Sequence, residues 1–110
     1  MATIEDFMSL DMRIGTVIQA EELPKAKVPA IKMKIDFGEV MGIKQSSAQI
    51  MKRYSPADIV GKQVVAIVNF PPRRVAGFKS EVLIIGGVPT DGDVILLTPD
   101  QEIPNGTKIS

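Results

Sequence analysis

Apolar and polar residues alternate most regularly at positions 31–37. Positions 31, 33, 35 and 37 are apolar, and Lys32, Lys34 and Asp36 lie between them. Because successive side chains of a strand point to opposite faces, this period of two predicts a strand with one core face and one solvent face. Lys32 and Lys34 share the solvent face, and solvated lysines are the simpler interpretation of that pair.

A second alternating segment, residues 12–20, predicts the first strand. Met12, Ile14, Thr16 and Ile18 are predicted to share one face, and the other face contains Arg13, Gly15, Val17 and Gln19. Gly15 interrupts the pattern, and a glycine within a strand indicates a bulge or a sharp bend. We therefore expect this strand to curve around a small barrel.

Two apolar runs enclose residues 71–81. Val64–Phe70 is rich in β-branched residues and ends at Pro71-Pro72, whereas Val82–Ile85 ends at Gly86-Gly87, which we interpret as a turn. Both runs are too short for ordinary helices and predict core strands, the first buried on most of both faces. Because proline lacks a backbone donor, the first strand cannot continue and the chain must turn outward.

The remaining predicted elements are shorter. Val40–Gln45 predicts a third strand, and Ser46 and Gln49 have the spacing of a capping box, which predicts a helix extending to Tyr54. A further short turn can begin at residue 55, and late strands are predicted at 94–97 and 107–109, after the turns at 91–93 and 104–106. Short strands, bend glycines and one inserted helix predict a mainly all-β fold, a five-stranded barrel of OB type with terminal extensions, as one domain over residues 1–110.

The N-terminal residues 3–10 predict a short helix that Thr3 can cap. Ile4, Phe7 and Met8 share one face of this helix. A helix of this length needs a docking surface, either on its own domain or on a second subunit. We favour the second subunit, which makes these three residues candidates for a homodimer interface.

Cysteine and histidine are both absent from the chain. Their absence excludes disulfides, thiol nucleophiles, imidazole bases and the usual zinc sites, so we expect no enzyme, cofactor or metal centre. Asp91 and Asp93 are too few for a cation site and are better explained by a turn. Acidic residues near the N-terminus and the lack of a long apolar run predict a cytoplasmic protein without membrane insertion.

The net charge is zero, but residues 40–80 contain seven basic residues and one acidic residue. Arg73, Arg74 and Lys79 fall on the predicted loop between two core strands, where they either bind an anion or are simply solvated. Phe78 lies among them. It can stack on a nucleic-acid base or anchor the loop in the core.

An ordered set of short motifs resembles a known family. The motifs are Asp11–Gly15, Ile35–Glu39, Asn69–Arg73, Gly77 and Ser80-Glu81. Together they resemble the tRNA-binding OB domains, a family that includes the C-terminal parts of many methionyl-tRNA synthetases and the CsaA export chaperones. Where the motifs vary within the family, the residues of this chain resemble those of the CsaA members. The match covers nearly the whole chain.

This resemblance implies a homodimeric OB-fold chaperone that acts in protein export. Its expected ligands are unfolded or preprotein polypeptides and tRNA, and the preprotein translocase motor ATPase is a candidate partner. The alternative is a dedicated, structure-specific tRNA-binding module. Two departures flank the expected RNA surface: Val82-Leu83 replaces a usual Gly-Met pair, and Gln45–Ser47 replaces a Val-Ser-Gly stretch. The RNA-contact candidates implied by the resemblance are Lys44, Ser46, Asn69, Arg73, Arg74, Lys79 and Ser80.

Overall fold

Short strands dominate the structure, a computed structural model that describes all 110 residues. The helices and strands follow in the order α1 Ile4–Met8, β1 Met12–Glu22, β2 Ile31–Asp36, α2 Gly38–Met41, β3 Ile43–Ala48, α3 Pro56–Ile59, β4 Gln63–Ile67, β5 Arg73–Val75, β6 Phe78–Ser80, β7 Leu83–Ile84, β8 Gly86–Thr90 and β9 Asp93–Leu96. Five strands form one antiparallel sheet in the order β3-β2-β1-β4-β7, while β5–β6 and β8–β9 form separate hairpins. The mainly all-β prediction is confirmed.

The sheet curls into a nearly closed barrel because its edge strands, β3 and β7, approach each other. The Glu81 amide donates to the Gln45 carbonyl at 2.8 Å, and the Ser46 hydroxyl donates to the Val82 carbonyl at 2.7 Å. Ser46 is fully buried, so its hydroxyl would be costly there without this partner. The OB-type barrel predicted from the sequence is confirmed.

The main core forms where β2 packs against β1 and β4. All four apolar positions of the alternating segment 31–37 are buried, as predicted. Their size also explains the glycine in β1: a Cβ on Gly15 would lie 2.5 Å from Ile35 Cγ2 and 2.8 Å from the Phe37 ring. Gly15 is therefore required by close packing between β1 and the end of β2.

The bulge in β1 lies between Val17 and Gln19, later than the Gly15 position suggested. Val17 is buried, whereas Ile18 is 44% exposed. Ile18 faces away from Val17, as the alternation predicts. Gln19 was predicted to share the face of Val17 but is exposed and pairs with Lys34, because one extra residue in a strand reverses the faces of the side chains that follow.

The segment 38–48 differs most from the sequence prediction. Val40, predicted in a strand, lies in the single turn of α2, between Gly38 and Gly42, whose φ angles are 91° and 74°. The third strand is β3, which begins only at Ile43. Two glycines with positive φ, one at each end of the five residues 38–42, produce a tight turn rather than an extended segment.

The helix predicted from the capping-box spacing is wrong. Ser46 and Ser47 belong to β3, where they pair with Met33 and Lys32 of β2. The Ser47 amide also donates to the Ser80 hydroxyl at 3.2 Å. These partners are distant in sequence, so a local pattern of capping residues could not reveal them. The short helix α3 begins after Ser55, where the sequence predicted only a further short turn.

The segment after Pro71-Pro72 is a hairpin rather than the plain loop that we predicted. β5 pairs with β6 through Arg73–Ser80, Arg74–Lys79 and Val75–Phe78. Ala76 and Gly77 connect the strands with φ angles of 50° and 80°, as a two-residue turn with positive φ at both positions requires. The basic side chains therefore project from an ordered ribbon.

The turn predicted at Gly86-Gly87 is also wrong, because both glycines begin β8 and pair with β9. A Cβ on Gly86 would lie 2.6 Å from the Ile95 carbonyl oxygen, so glycine permits close contact between the strands. The turns predicted at residues 91–93 and 104–106 are both present. The late strand predicted at 107–109 is reduced to a single bridge between Arg13 and Lys108.

The predicted N-terminal helix is confirmed as α1, and the Thr3 hydroxyl accepts a hydrogen bond from the Asp6 amide at 3.2 Å. Phe7 packs on a second buried cluster, separate from the main core, whose members are Met12, Ile14, Val65 and Ile67. Ile4 and Met8 remain 65% and 70% exposed. None of the three helices combines the length and apolar character needed to cross a bilayer.

Candidate functional site

The β5–β6 hairpin lies between two cavities. On one side is a cavity of about 230 Å³, which we call the Phe78 cavity; its walls are Gln19, Glu21, Lys32, Met33, Lys34, Gln45 and Phe78. On the other side is a larger cavity of about 450 Å³, which we call the apolar groove; it lies between the end of β3, β5, β7 and the β8–β9 hairpin. Residues of the hairpin line both cavities.

Strand register brings the walls of the Phe78 cavity together. Glu21 pairs with Lys32 and Gln19 with Lys34 across β1 and β2, and Lys34 pairs in turn with Gln45 of β3. Directly paired residues point to the same face of a sheet, so these polar side chains form one patch. The Gln45 side-chain amide donates to the Lys79 carbonyl at 2.8 Å and holds the hairpin against this patch.

Phe78 closes one wall of its cavity and joins neither buried apolar cluster. Its side chain is half-buried, and Lys32 Nζ lies 5.8 Å from its ring centroid. Lys32 Nζ also lies 3.2 Å from Glu21 Oε1. Of the two roles considered for Phe78, the position of the ring favours a surface role over a core anchor.

Three predicted cations are exposed on the hairpin: Arg73, Arg74 and Lys79. None of them forms an ion pair. Arg74 and Lys79 pair directly across the two strands, and like charges in that relation repel each other. A bound anion would relieve this repulsion. Arg73 points to the other face, where it lines the apolar groove.

The other four predicted RNA contacts differ from the hairpin cations in burial, in hydrogen bonding or in position. Ser46 and Ser80 are buried, and both hydroxyls hydrogen bond inside the barrel; we leave them out of the proposed interface. Asn69 accepts from the Asp11 amide and donates to the Ser9 carbonyl, both at 2.9 Å, which attaches the N-terminal segment to the end of β4. Lys44 is half-buried and lies opposite Ile35, away from the Phe78 cavity.

Two smaller cavities adjoin the apolar groove and extend its lining. These two cavities of about 320 Å³ each share Gln49 with it, and they bring Val28, Pro29 and Met51 into the lining. The wall of the larger cavity includes Ala48, Ile50, Val75, Leu83, Ile84, Val94 and Leu96. Lysines 25, 27 and 52 line the outer part. Lys52 was counted in the basic segment 40–80, whereas the sequence prediction missed Lys25 and Lys27, which lie in the loop between β1 and β2.

A salt bridge fixes the position of the β8–β9 hairpin, which forms one wall of the groove. Arg53 Nη2 donates to Asp93 Oδ2 at 2.9 Å, and Arg53 Nε donates to the other carboxylate oxygen. The hydrogen bonds from Arg53 lower the pKa of Asp93, whose side chain is only 10% exposed. The Tyr54 hydroxyl accepts from the Leu96 amide at 3.2 Å, next to this pair.

The family comparison covers the barrel and its hairpins. Residues 12–108 match the family described as a putative tRNA binding domain. The chain belongs to this family.

Two solved members of this kind are similar over the whole chain, and both are named CsaA chaperones. The crystal structure from Bacillus anthracis is 68% identical with a TM-score of 0.95, covering 100% of this chain and 99% of that one. The structure from Picrophilus torridus is 43% identical with a TM-score of 0.91, covering 100% of both chains. The predicted resemblance to CsaA within the tRNA-binding family is confirmed.

The family domain also occurs within larger proteins. The methionine–tRNA ligase of Porphyromonas gingivalis is 38% identical over 105 residues, which are 96% of this chain and 15% of that enzyme. The chain therefore spans only a small part of the curated relatives that it matches. The matched domain belongs to a binding family, not a catalytic one.

Proposed function

We propose that this tRNA-binding-family protein is a CsaA-like chaperone that holds unfolded or preprotein segments for export in the cytoplasm, without catalysing a reaction. The observation that carries this proposal is the full-length similarity to two CsaA chaperones, at 68% and 43% identity. tRNA is its second, electrostatic ligand. The preprotein translocase motor ATPase is the candidate acceptor of the held polypeptide.

The apolar groove supports polypeptide binding. An unfolded polypeptide exposes apolar side chains, and their burial contributes about 25 cal/mol per Å² of surface removed from water. The groove offers apolar walls from several strands, while Arg73, Asp91 and Lys52 lie among its lining residues. Apolar contacts of this kind tolerate many sequences, as a holding chaperone requires.

The hairpin supports RNA binding. Arg74 and Lys79 form one exposed face without acidic partners. Cations of this kind bind phosphates without reading bases, and they position an RNA rather than selecting its sequence. The family match favours this second ligand, and it also supports the alternative function, a dedicated tRNA-binding module.

Salt dependence separates the two functions. We expect the affinity for a fluorescent, permanently unfolded preprotein segment to survive moderate salt, because salt does not screen the burial of apolar surface. Binding of tRNA should fall by orders of magnitude between about 50 and 200 mM salt, because released counterions drive it. Fluorescence anisotropy at both concentrations measures each affinity, and each unlabelled ligand is then tested as a competitor.

Each outcome identifies one function. Peptide binding that resists salt, combined with RNA binding that does not, supports the chaperone. If no peptide binds at either salt concentration while tRNA binds at the lower one, the chaperone function is refuted and the tRNA-binding module replaces it.

A further inference from the structure

A cation from the protein itself already occupies the Phe78 cavity. Lys32 Nζ lies 5.8 Å from the Phe78 ring centroid and 3.2 Å from Glu21 Oε1. An aromatic face attracts an ammonium group within about 6 Å of its centroid. Lys32 therefore covers the part of the ring on which a planar ligand would stack, and Glu21 holds it there.

The rest of the cavity presents groups suited to a nucleic-acid base. Gln19 and Gln45 add amide groups to the wall, and Lys34 adds a second cation. The Gln45 Nε2 group donates to the Lys79 carbonyl, while its Oε1 has no hydrogen bond and can accept one. RNA-binding proteins recognise unpaired bases by stacking them on aromatic rings and hydrogen bonding to their edges.

We propose that Phe78 stacks one unpaired RNA base and that Glu21 limits this binding by holding Lys32 over the ring. The inference rests on the RNA binding proposed above and adds the part of the RNA that is recognised. When a base enters, the Lys32 ammonium leaves the ring and pairs with the adjacent phosphate. Glu21, whose side chain is 60% exposed, then loses its partner and repels the RNA.

The first test compares two glutamates of the same strand. E21Q removes the carboxylate that holds Lys32, whereas E22Q removes the same charge from the next residue, which is also exposed but pairs with Ile31. We expect E21Q to tighten the binding of a short single-stranded RNA about threefold, in the range set by an exposed ion pair. E22Q should have a clearly smaller effect. Equal effects of the two substitutions would mean that only total charge matters, and would overturn the role of Glu21.

The second test removes the stacking surface. F78L should weaken RNA binding about tenfold, within the range for loss of one stacked base, and it should remove the difference between E21Q and wild type. Matching thermal midpoints for F78L and wild type show that folding is preserved. Unchanged RNA affinity in a folded F78L protein would overturn the stacking role.

The third test observes the stacking directly and does not depend on F78L. The wild-type chain contains no tryptophan, so F78W carries a single fluorescent reporter. RNA should quench its emission, and an abasic oligonucleotide of the same length should not. Equal quenching by both oligonucleotides contradicts base stacking.

The three tests together separate this inference from the proposed function. If wild type binds RNA while every Phe78 and Glu21 variant behaves like wild type, the proposed function survives and this inference fails. If wild type binds no RNA, both RNA proposals fail.

Discussion

At the scale of single residues, exposure separates the cations that can meet RNA from the polar groups that hold the barrel together. Arg74 and Lys79 are exposed and lack acidic partners, whereas Ser46 and Ser80 are buried and hydrogen bonded. All four positions are among the RNA contacts that the family resemblance implies. The difference between them arises from barrel closure, which a motif does not contain.

Charge reversal tests the exposed cations. R73E/R74E should weaken tRNA binding similarly for all sequences and should flatten its salt dependence, because fewer counterions are released. Both side chains are exposed, so the thermal midpoint should change little. Filter binding across a salt series measures the affinity and the slope together.

Lys62 provides the matched control, because it is exposed but lies just before β4, outside the hairpin and both cavities. K62E should leave most of the RNA affinity intact. Binding by R73E/R74E that equals wild type would exclude the hairpin as the RNA surface.

The Phe78 cavity shows why the site was only partly predictable. The sequence indicated Lys32 and Lys34 as one solvent face, and it placed Phe78 between basic residues. It could not show that Phe78 of a distant hairpin meets Lys32, because that contact depends on the Gln45–Lys79 hydrogen bond and on hairpin geometry. Glu21 had no signal of its own, since its partner is set by strand register.

At the scale of elements, periodicity correctly predicted a strand whose apolar and polar residues alternate along its whole length. It failed where contacts with residues distant in sequence determine the structure. The strand at 31–37 is correct because one face packs on the core along its whole length. β3 was misplaced because its serines look like helix caps, yet they are satisfied by Ser80 and Val82. The face of Gln19 was predicted wrongly because a bulge leaves no distinct mark in a run of apolar and polar residues.

The Arg53–Asp93 pair predicts a pH-dependent attachment of the β8–β9 hairpin. Its hydrogen bonds lower the pKa of Asp93 in the folded state, so the carboxylate stabilises the fold above the unfolded-state pKa of about 3.9. This contribution is lost as pH falls through the lower folded-state pKa. D93N should therefore lower the free energy of unfolding at pH 7, and its difference from wild type should shrink in strong acid.

Urea denaturation at neutral and acidic pH measures the effect of D93N. Asp91 offers the control, because it lies on the same turn but is exposed and forms no ion pair. D91N should change stability much less than D93N at pH 7. A D93N penalty that is the same at every pH would show that packing, rather than the carboxylate charge, attaches the hairpin.

At the scale of the whole molecule, both ends of the chain collect on one apolar region. Phe7 and Leu10 cover the second buried cluster together with Ile103 and Ile109. Removing the first ten residues would expose this cluster. A change in the mass of such a deletion variant could then result from unfolding as well as from loss of assembly. Point substitutions at the exposed residues of α1 avoid this problem.

We propose that α1 lies in a homodimer interface, because Ile4 and Met8 stay 65% and 70% exposed on a helix whose Phe7 is already docked. Light scattering at micromolar concentration should give twice the chain mass for wild type. I4N/M8N should lower that mass, because two polar side chains would be buried without partners across a two-fold axis. V40N is the control: Val40 is fully exposed on α2, outside the α1 face, so its substitution should leave the mass unchanged. A monomeric wild type, or a dimer that I4N/M8N does not weaken, would contradict this interface.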